Sequence, residues 1–174
     1  MNLKKIVIIS FAAVLAVVST GCVEREIVIN KAIQDIPDVT IKENIEIDWE
    51  QVMEDCEALL SGDEYPYGCY LDFAVHDDEN TTEIIWPVKN ECPVEEMPEY
   101  AAAYAKAFND AVAVQDFSVK LSEDDYYGGY WDEHDMDVQV YYEKDIMEPE
   151  KYYVNQIVPA GSNDPIIINP NIEE

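Results

Sequence analysis

From residue 48 to residue 142 the apolar residues of this chain run first at a helical period, then alternate, then return to a helical period, then alternate again. A period near 3.6 buries one stripe of a helix, and a period of two buries one face of a strand. A chain written this way is expected to fold as helix, strand pair, helix, strand pair. Few architectures bury all four stripes at once.

The first helical stretch is "DWEQVMEDCEALLSG". Asp48 is a good N-cap, and Gln51 three residues on completes a capping box. Trp49, Val52, Met53, Cys56, Leu59 and Leu60 fall on one stripe, and Gly62 stops the helix. Alternation follows. Leu71, Phe73 and Val75 precede "DDENTT", and Ile84, Trp86 and Val88 come after it. A four-residue loop at Asp78–Thr81 would set Leu71 against Val88, Phe73 against Trp86 and Val75 against Ile84. Pro87 argues for an edge strand or a strand end.

The second helix is expected over "MPEYAAAYAKAFNDAVAV", with Pro98 in its first turn. Its stripe is Ala101, Tyr104, Ala105, Phe108, Ala111 and Val112. Next, Phe117, Val119 and Leu121 alternate, as do Met136, Val138, Val140 and Tyr142. Gly128-Gly129 lies midway and suits a two-residue hairpin turn. That turn would place Leu121 opposite Met136, Val119 opposite Val138 and Phe117 opposite Val140. The outer half, Ser122 to Asp135, leaves the apolar pattern and is expected to project as an arm. Tyr126, Tyr127, Tyr130 and Trp131 would surround its tip, and exposed aromatic clusters of this kind mark binding surfaces. A further strand is expected near Tyr152 to Val158, and an irregular tail over 159–174.

The fold expected is α+β: an antiparallel sheet of two hairpins with two helices on one face, in αββ-αββ order, with one long projecting arm. This order is similar to that of PepSY-like and inhibitor-type modules of secreted bacterial proteins. The resemblance rests on element order alone and assigns no residues.

The N-terminus reads "MNLKKIVIISFAAVLAVVSTGC". Lys4 and Lys5 precede an apolar run, Ile6 to Val18, that is short against the roughly 20 residues of a membrane span. A basic head, a short apolar core and small residues make a secretory signal. With Ser19, Thr20 and Gly21 leading directly to Cys22, the segment resembles a bacterial lipoprotein signal with its lipobox, although Ser19 stands where that family usually has Leu. The resemblance implies cleavage after Gly21, lipid on the Cys22 thiol and anchoring to the outer side of a bacterial cell membrane. The expected organisation is then a signal over 1–21, a lipidated N-terminus with a short extended segment over 22–47, and the α+β domain over 48–158.

The chain has 38 acidic and 10 basic residues, a formal charge of −28, which loss of Lys4 and Lys5 would take to −30. Nucleic acid is thereby excluded as a partner, because its phosphates require clustered Lys and Arg. Of the remaining cysteines, Cys69 and Cys92 would sit diagonally at the mouth of the first hairpin and are the disulfide candidates. Cys56 would stay free on the helix stripe.

Little in the sequence supports catalysis. The only histidines are His76 and His134, and neither belongs to a nucleophile motif. Asp132, Asp135 and Asp137 in "DEHDMD" lack the glycine of a calcium loop. No catalytic residue, metal site or cofactor is expected. The expected function is a non-enzymatic, envelope-anchored acidic lipoprotein that binds an extracytoplasmic protein or glycan through the arm. The alternatives are an inhibitor-like or structural module using its sheet face, and a domain responding weakly to divalent cations.

Overall fold

The computed structural model describes residues 45–172. The signal segment, Cys22 and the extended pieces before residue 45 lie outside the described residues. The domain is α+β, with two helices and a four-stranded mixed sheet. Helix α1 (Trp49–Leu60) leads to strands β1 (Asp72–His76) and β2 (Thr81–Val88); helix α2 (Met97–Gln115) leads to β3 (Asp135–Tyr142) and β4 (Val154–Val158). The strands stand in the order β1-β2-β3-β4.

Asp48 caps α1, its Oδ1 accepting from the backbone N–H groups of Glu50 (3.1 Å) and Gln51 (3.2 Å). The return bond of the expected capping box is replaced. Gln51 donates to Asp55, and the Asp48 N–H donates instead to Oε1 of Gln115 at 2.8 Å, while the Gln115 amide donates back to the Asp48 carbonyl at 3.1 Å. One side chain at the end of α2 thus ties down the start of α1. The α1 stripe buries Val52, Cys56 and Leu60 but leaves Leu59 60 % exposed. The whole expected α2 stripe is buried.

Strands β1 and β2 pair antiparallel, as expected, but two residues out of the expected register. Phe73 faces Ile84, and Val75 faces Thr82. A slip of two preserves which side chains point inward. It comes from the turn, which closes at His76–Thr81 with Asn80 in the left-handed region at φ 53°, a conformation that asparagine tolerates. Pro87 is not on an edge. Strand β2 is interior, and Pro87 lies buried next to its last residue.

The second expected hairpin is absent. Strand β3 runs parallel to β2, Thr81 beside Asp135 through Val88 beside Tyr142, and its other edge pairs antiparallel with β4. A parallel pair needs a long crossover, and α2 supplies it. With β2 and β4 on either side, β3 has no edge left for residues 117–121. Phe117 is accordingly 90 % exposed and Leu121 59 %.

Gly128-Gly129 makes no hairpin turn. Gly128 has φ +116°, and a Cβ there would lie 1.9 Å from Cγ of Asn109. The glycine allows the 116–134 loop to press on α2, where the fully buried Asn109 receives the Tyr130 N–H (2.9 Å) and donates to the Lys120 carbonyl (3.0 Å). That loop folds inward, so there is no projecting arm.

One continuous core joins both helices to one sheet face: Val52 and Cys56 of α1, Tyr104, Phe108 and Val112 of α2, and Ile84, Trp86, Val88, Val138, Val140 and Val154 of the strands. The tail adds Ile166, also buried. The opposite face carries Asp72, His76, Glu83, Asp135, Asp137, Asn155 and Ile157.

Candidate binding cleft

The four aromatic residues expected at an arm tip are placed otherwise. Tyr127, Tyr130 and Trp131 are buried, at 8, 7 and 3 % exposure. The Trp131 indole donates to the Ala105 carbonyl at 2.8 Å. The Tyr127 hydroxyl donates to the Asp164 carbonyl at 3.3 Å. The Tyr130 hydroxyl pairs with Thr82 Oγ1 at 2.7 Å. Tyr126 alone is partly exposed, and its hydroxyl donates to Asp132 at 2.6 Å. Each polar end has a protein partner, so the rings pack the loop onto the domain and offer no tip for a ligand to stack on.

The expected Cys69–Cys92 bridge is absent, and Cys56, Cys69 and Cys92 are free thiols. Gly68, and not Cys69, takes the place opposite Val88 at the mouth of the hairpin. The Cys69 N–H donates to the Pro87 carbonyl at 3.0 Å, while Cys92 turns away in a tight bend closed by its own N–H to the Lys89 carbonyl. Burial, reinforced by Asp55 and Glu57, pushes the Cys56 thiol up to about 12. Burial, with Glu96 and Glu95, pushes Cys92 up to about 11. Both remain protonated and behave as small apolar core residues.

The aspartates of "DEHDMD" diverge. Asp132 accepts from Tyr126, and Asp135 accepts the Ala160 N–H at 2.7 Å. Among the described residues, no three His, Cys, Asp or Glu side chains come together in a way that could hold a metal ion.

The structure does form a cleft of about 290 Å³ where the loop after α2, the start of α1 and the end of β1 meet. Its apolar walls are Ile47, Trp49, Val75, Val112 and Val119, with Tyr130 among them. Its polar residues are Asp77, Asp116, Ser118, Glu133 and His134, and neither Lys nor Arg lines it.

The aromatic wall is held from several sides. Trp49 packs edge-on against Tyr130 (6.5 Å) and Phe73 (6.0 Å), and stacks with Phe108 (6.2 Å). The His134 ring lies flat on the Tyr130 ring, 4.1 Å away and 2° from parallel. His134 Nδ1 is 3.0 Å from the Tyr130 carbonyl. A carbonyl only accepts, so Nδ1 carries the proton and Nε2 is left for another partner. Burial pushes the Tyr130 phenol up to about 12, against the lowering effect of Thr82, so the ring stays neutral.

Ser118 is spoken for, its hydroxyl donating to Asp116 at 2.7 Å and its N–H to the same oxygen at 2.9 Å. Asp77 and Glu133 stand at the rim as exposed carboxylates. Of these lining residues, only Tyr130 is a ligand candidate on the sequence, for an exposed tip it does not occupy. Trp49 read as an ordinary stripe residue; its signal was a large aromatic in the first helical position, where a stripe is only half covered.

On the opposite sheet face Asp137 is half-buried. Burial raises its carboxyl above the ordinary range, while a hydrogen bond with Gln139 and the nearby His76 pull the other way. Gln139 also donates to Glu83 at 2.7 Å.

The chain was compared with protein-family models, with curated proteins and with solved structures, and it matches none of them.

Proposed function

We propose that this chain is a non-enzymatic acidic binding module, anchored to the outer side of a bacterial cell membrane by lipid on Cys22, whose cleft takes part of an extracytoplasmic protein. The observation that carries the reading is the cleft itself: preformed, walled by packed aromatics and open to solvent at an acidic rim. Preformed apolar pockets with a few convergent polar groups are the usual form of binding sites.

The bonding inside the cleft favours binding over catalysis. The Ser118 hydroxyl points its proton at Asp116, and His134 spends Nδ1 on a backbone carbonyl. A general base needs hydrogen-bond reach to a nucleophile, with a third group to orient it. Here the polar groups shape the wall.

Two measurements test the proposal. Intact mass of protein extracted from membranes should show cleavage after Gly21 and a diacylglyceryl adduct, and an unmodified Cys22 overturns the anchor. Cross-linking in native envelopes should yield a partner band with the wild type. The band should disappear when Val119→Trp fills the cleft in a chain that still folds. A band unchanged by Val119→Trp overturns the cleft as the binding site.

A second reading, an inhibitor-like or structural module, has its own supporting observation. The sheet face opposite the helices displays Asp72, Glu83, Asp135 and Asp137, with no Lys or Arg on any of the four strands. In that case Glu83→Lys, on the open face, removes the cross-linked band and Val119→Trp leaves it.

A further inference from the structure

We infer that the cleft recognises a lysine side chain presented by a basic protein. The inference rests on reading this cleft as the binding site, and adds the chemistry of its occupant. Three features of the cleft select that chemistry.

Its volume, about 290 Å³, sits at the lower edge of the roughly 300–1,000 Å³ of pockets that hold drug-sized ligands. It suits one long side chain. Its inner wall is apolar and aromatic, with Trp49, Val75 and Tyr130 available to a methylene stem. Lysine carries four methylenes and buries them readily along such walls while its head remains at a polar opening.

The opening supplies what an ammonium head lacks. An ammonium has three donors and no acceptor. The rim carries the Asp77 and Glu133 carboxylates, and the His134 ring, with Nδ1 donating to the Tyr130 carbonyl, offers Nε2 as an acceptor in its neutral form. Three acceptors on two facing segments, the β1–β2 turn and the end of the loop before β3, match a compact, rotatable head better than the flat fork of a guanidinium, which prefers two parallel bonds to one carboxylate. Trp49, the half-buried aromatic of the wall, adds attraction between a cation and an aromatic ring. A glutamate or aspartate side chain would meet like charge at the rim, and the −28 formal charge of the chain draws basic partners toward it from a distance.

The test is calorimetric titration of the full chain in detergent micelles, at physiological salt, with the peptide acetyl-Gly-Lys-Gly-Lys-Gly-amide. A matched peptide carrying norleucine for both lysines keeps the stem and deletes the head. The lysine peptide should bind saturably, and roughly tenfold or more tighter than the norleucine peptide. The double variant Asp77→Asn/Glu133→Gln, altered only at exposed rim positions, should weaken it by roughly the same factor. The variant Glu54→Gln/Glu91→Gln, which removes the same charge elsewhere on the surface, should leave it within about twofold.

Equal losses in both double variants mean diffuse attraction to an acidic surface, and overturn the inference. So does a norleucine peptide that binds as well as the lysine peptide, or a lysine peptide that does not saturate. The two readings fail separately. A cross-linked partner abolished by Val119→Trp, with no lysine-peptide binding, removes the lysine assignment alone. Specific lysine-peptide binding, with a partner band indifferent to Val119→Trp, removes the cleft from the proposed function.

Discussion

Replacing Gly128 with alanine should be among the most damaging single-methyl additions in this domain, and the structure says how the damage divides. Gly128 sits at φ +116° and ψ 167°, a region open almost only to glycine. Holding alanine there costs about 1–3 kcal/mol. Its Cβ would also fall 1.9–2.2 Å from three side-chain atoms of Asn109. Asn109 cannot step aside freely, because it receives the Tyr130 N–H and donates to the Lys120 carbonyl and to Asp110. Overpacking of this kind adds about 1–3 kcal/mol, so Gly128→Ala should lose about 2–6 kcal/mol in total.

Asn109→Ala alone strands the buried Tyr130 N–H. The Lys120 carbonyl still receives the Gly129 N–H at 2.9 Å, so only one group is orphaned. The expected loss is about 1–3 kcal/mol. In the double variant the overlap is gone while the backbone strain persists. The two losses should therefore fall short of additivity by about 1–3 kcal/mol. Urea unfolding followed by tryptophan emission is the assay, since the buried Trp131 lies three residues from the substitution. Losses that add to within about 0.5 kcal/mol would refute the claim that Gly128 is there for Asn109.

Thr82→Val should orphan the buried Tyr130 hydroxyl and destabilise by about 1–3 kcal/mol, and adding Tyr130→Phe should recover much of that in the same unfolding assay. Asp137→Asn should raise the melting temperature at neutral pH. The folded-state carboxyl is raised, so the native protein holds its proton more tightly than the unfolded chain, and stability contributed by Asp137 falls as pH rises through that raised value. The difference between wild type and variant should close on acidification below the ordinary carboxylate range, and a gap that persists there contradicts the assignment. Iodoacetamide applied to the native protein should label Cys69 first and reach Cys56 and Cys92 only after unfolding, because those two are 0 and 2 % exposed. Peptide mapping that finds Cys69 joined to Cys92 contradicts the free thiols.

The element types were legible because they depend on local pattern. Both helix stripes, the β1–β2 pairing with Phe73 and Val75 inward, and the strand ending at Val158 all follow from periodicity and turn chemistry. The partner of β3 was not legible. Met136, Val138 and Val140 carry the same inward parity whether they face residues 117–121 or run beside Thr82, Ile84 and Trp86. Parity identifies a face and not a neighbour. The glycine pair misled for a related reason: Gly128-Gly129 announces an unusual backbone, and a tight turn is only one way to use it. The need here arises from Asn109, 19 residues earlier, and no local window contains both. The cleft was hidden in the same way, since Trp49, Val75 and His134 meet only after α2 has crossed the sheet.

That crossing also governs the order in which the domain can assemble. In the outer ladders, Val75 meets Thr82 after seven residues and Val140 meets Val154 after fourteen. Every pair across the centre, from Thr81 with Asp135 to Val88 with Tyr142, joins residues 54 apart in the chain. Each ladder of local pairs can zip on its own, whereas the seam between β2 and β3 must await loop closure over the whole of α2. Until it closes, two half-sheets coexist, each with an apolar edge strand open to pairing. The correct neighbour is then the other half of the same chain, but the same half of a second chain offers an identical edge. Refolding at high concentration should therefore give exchanged dimers, and dilution during refolding should suppress them.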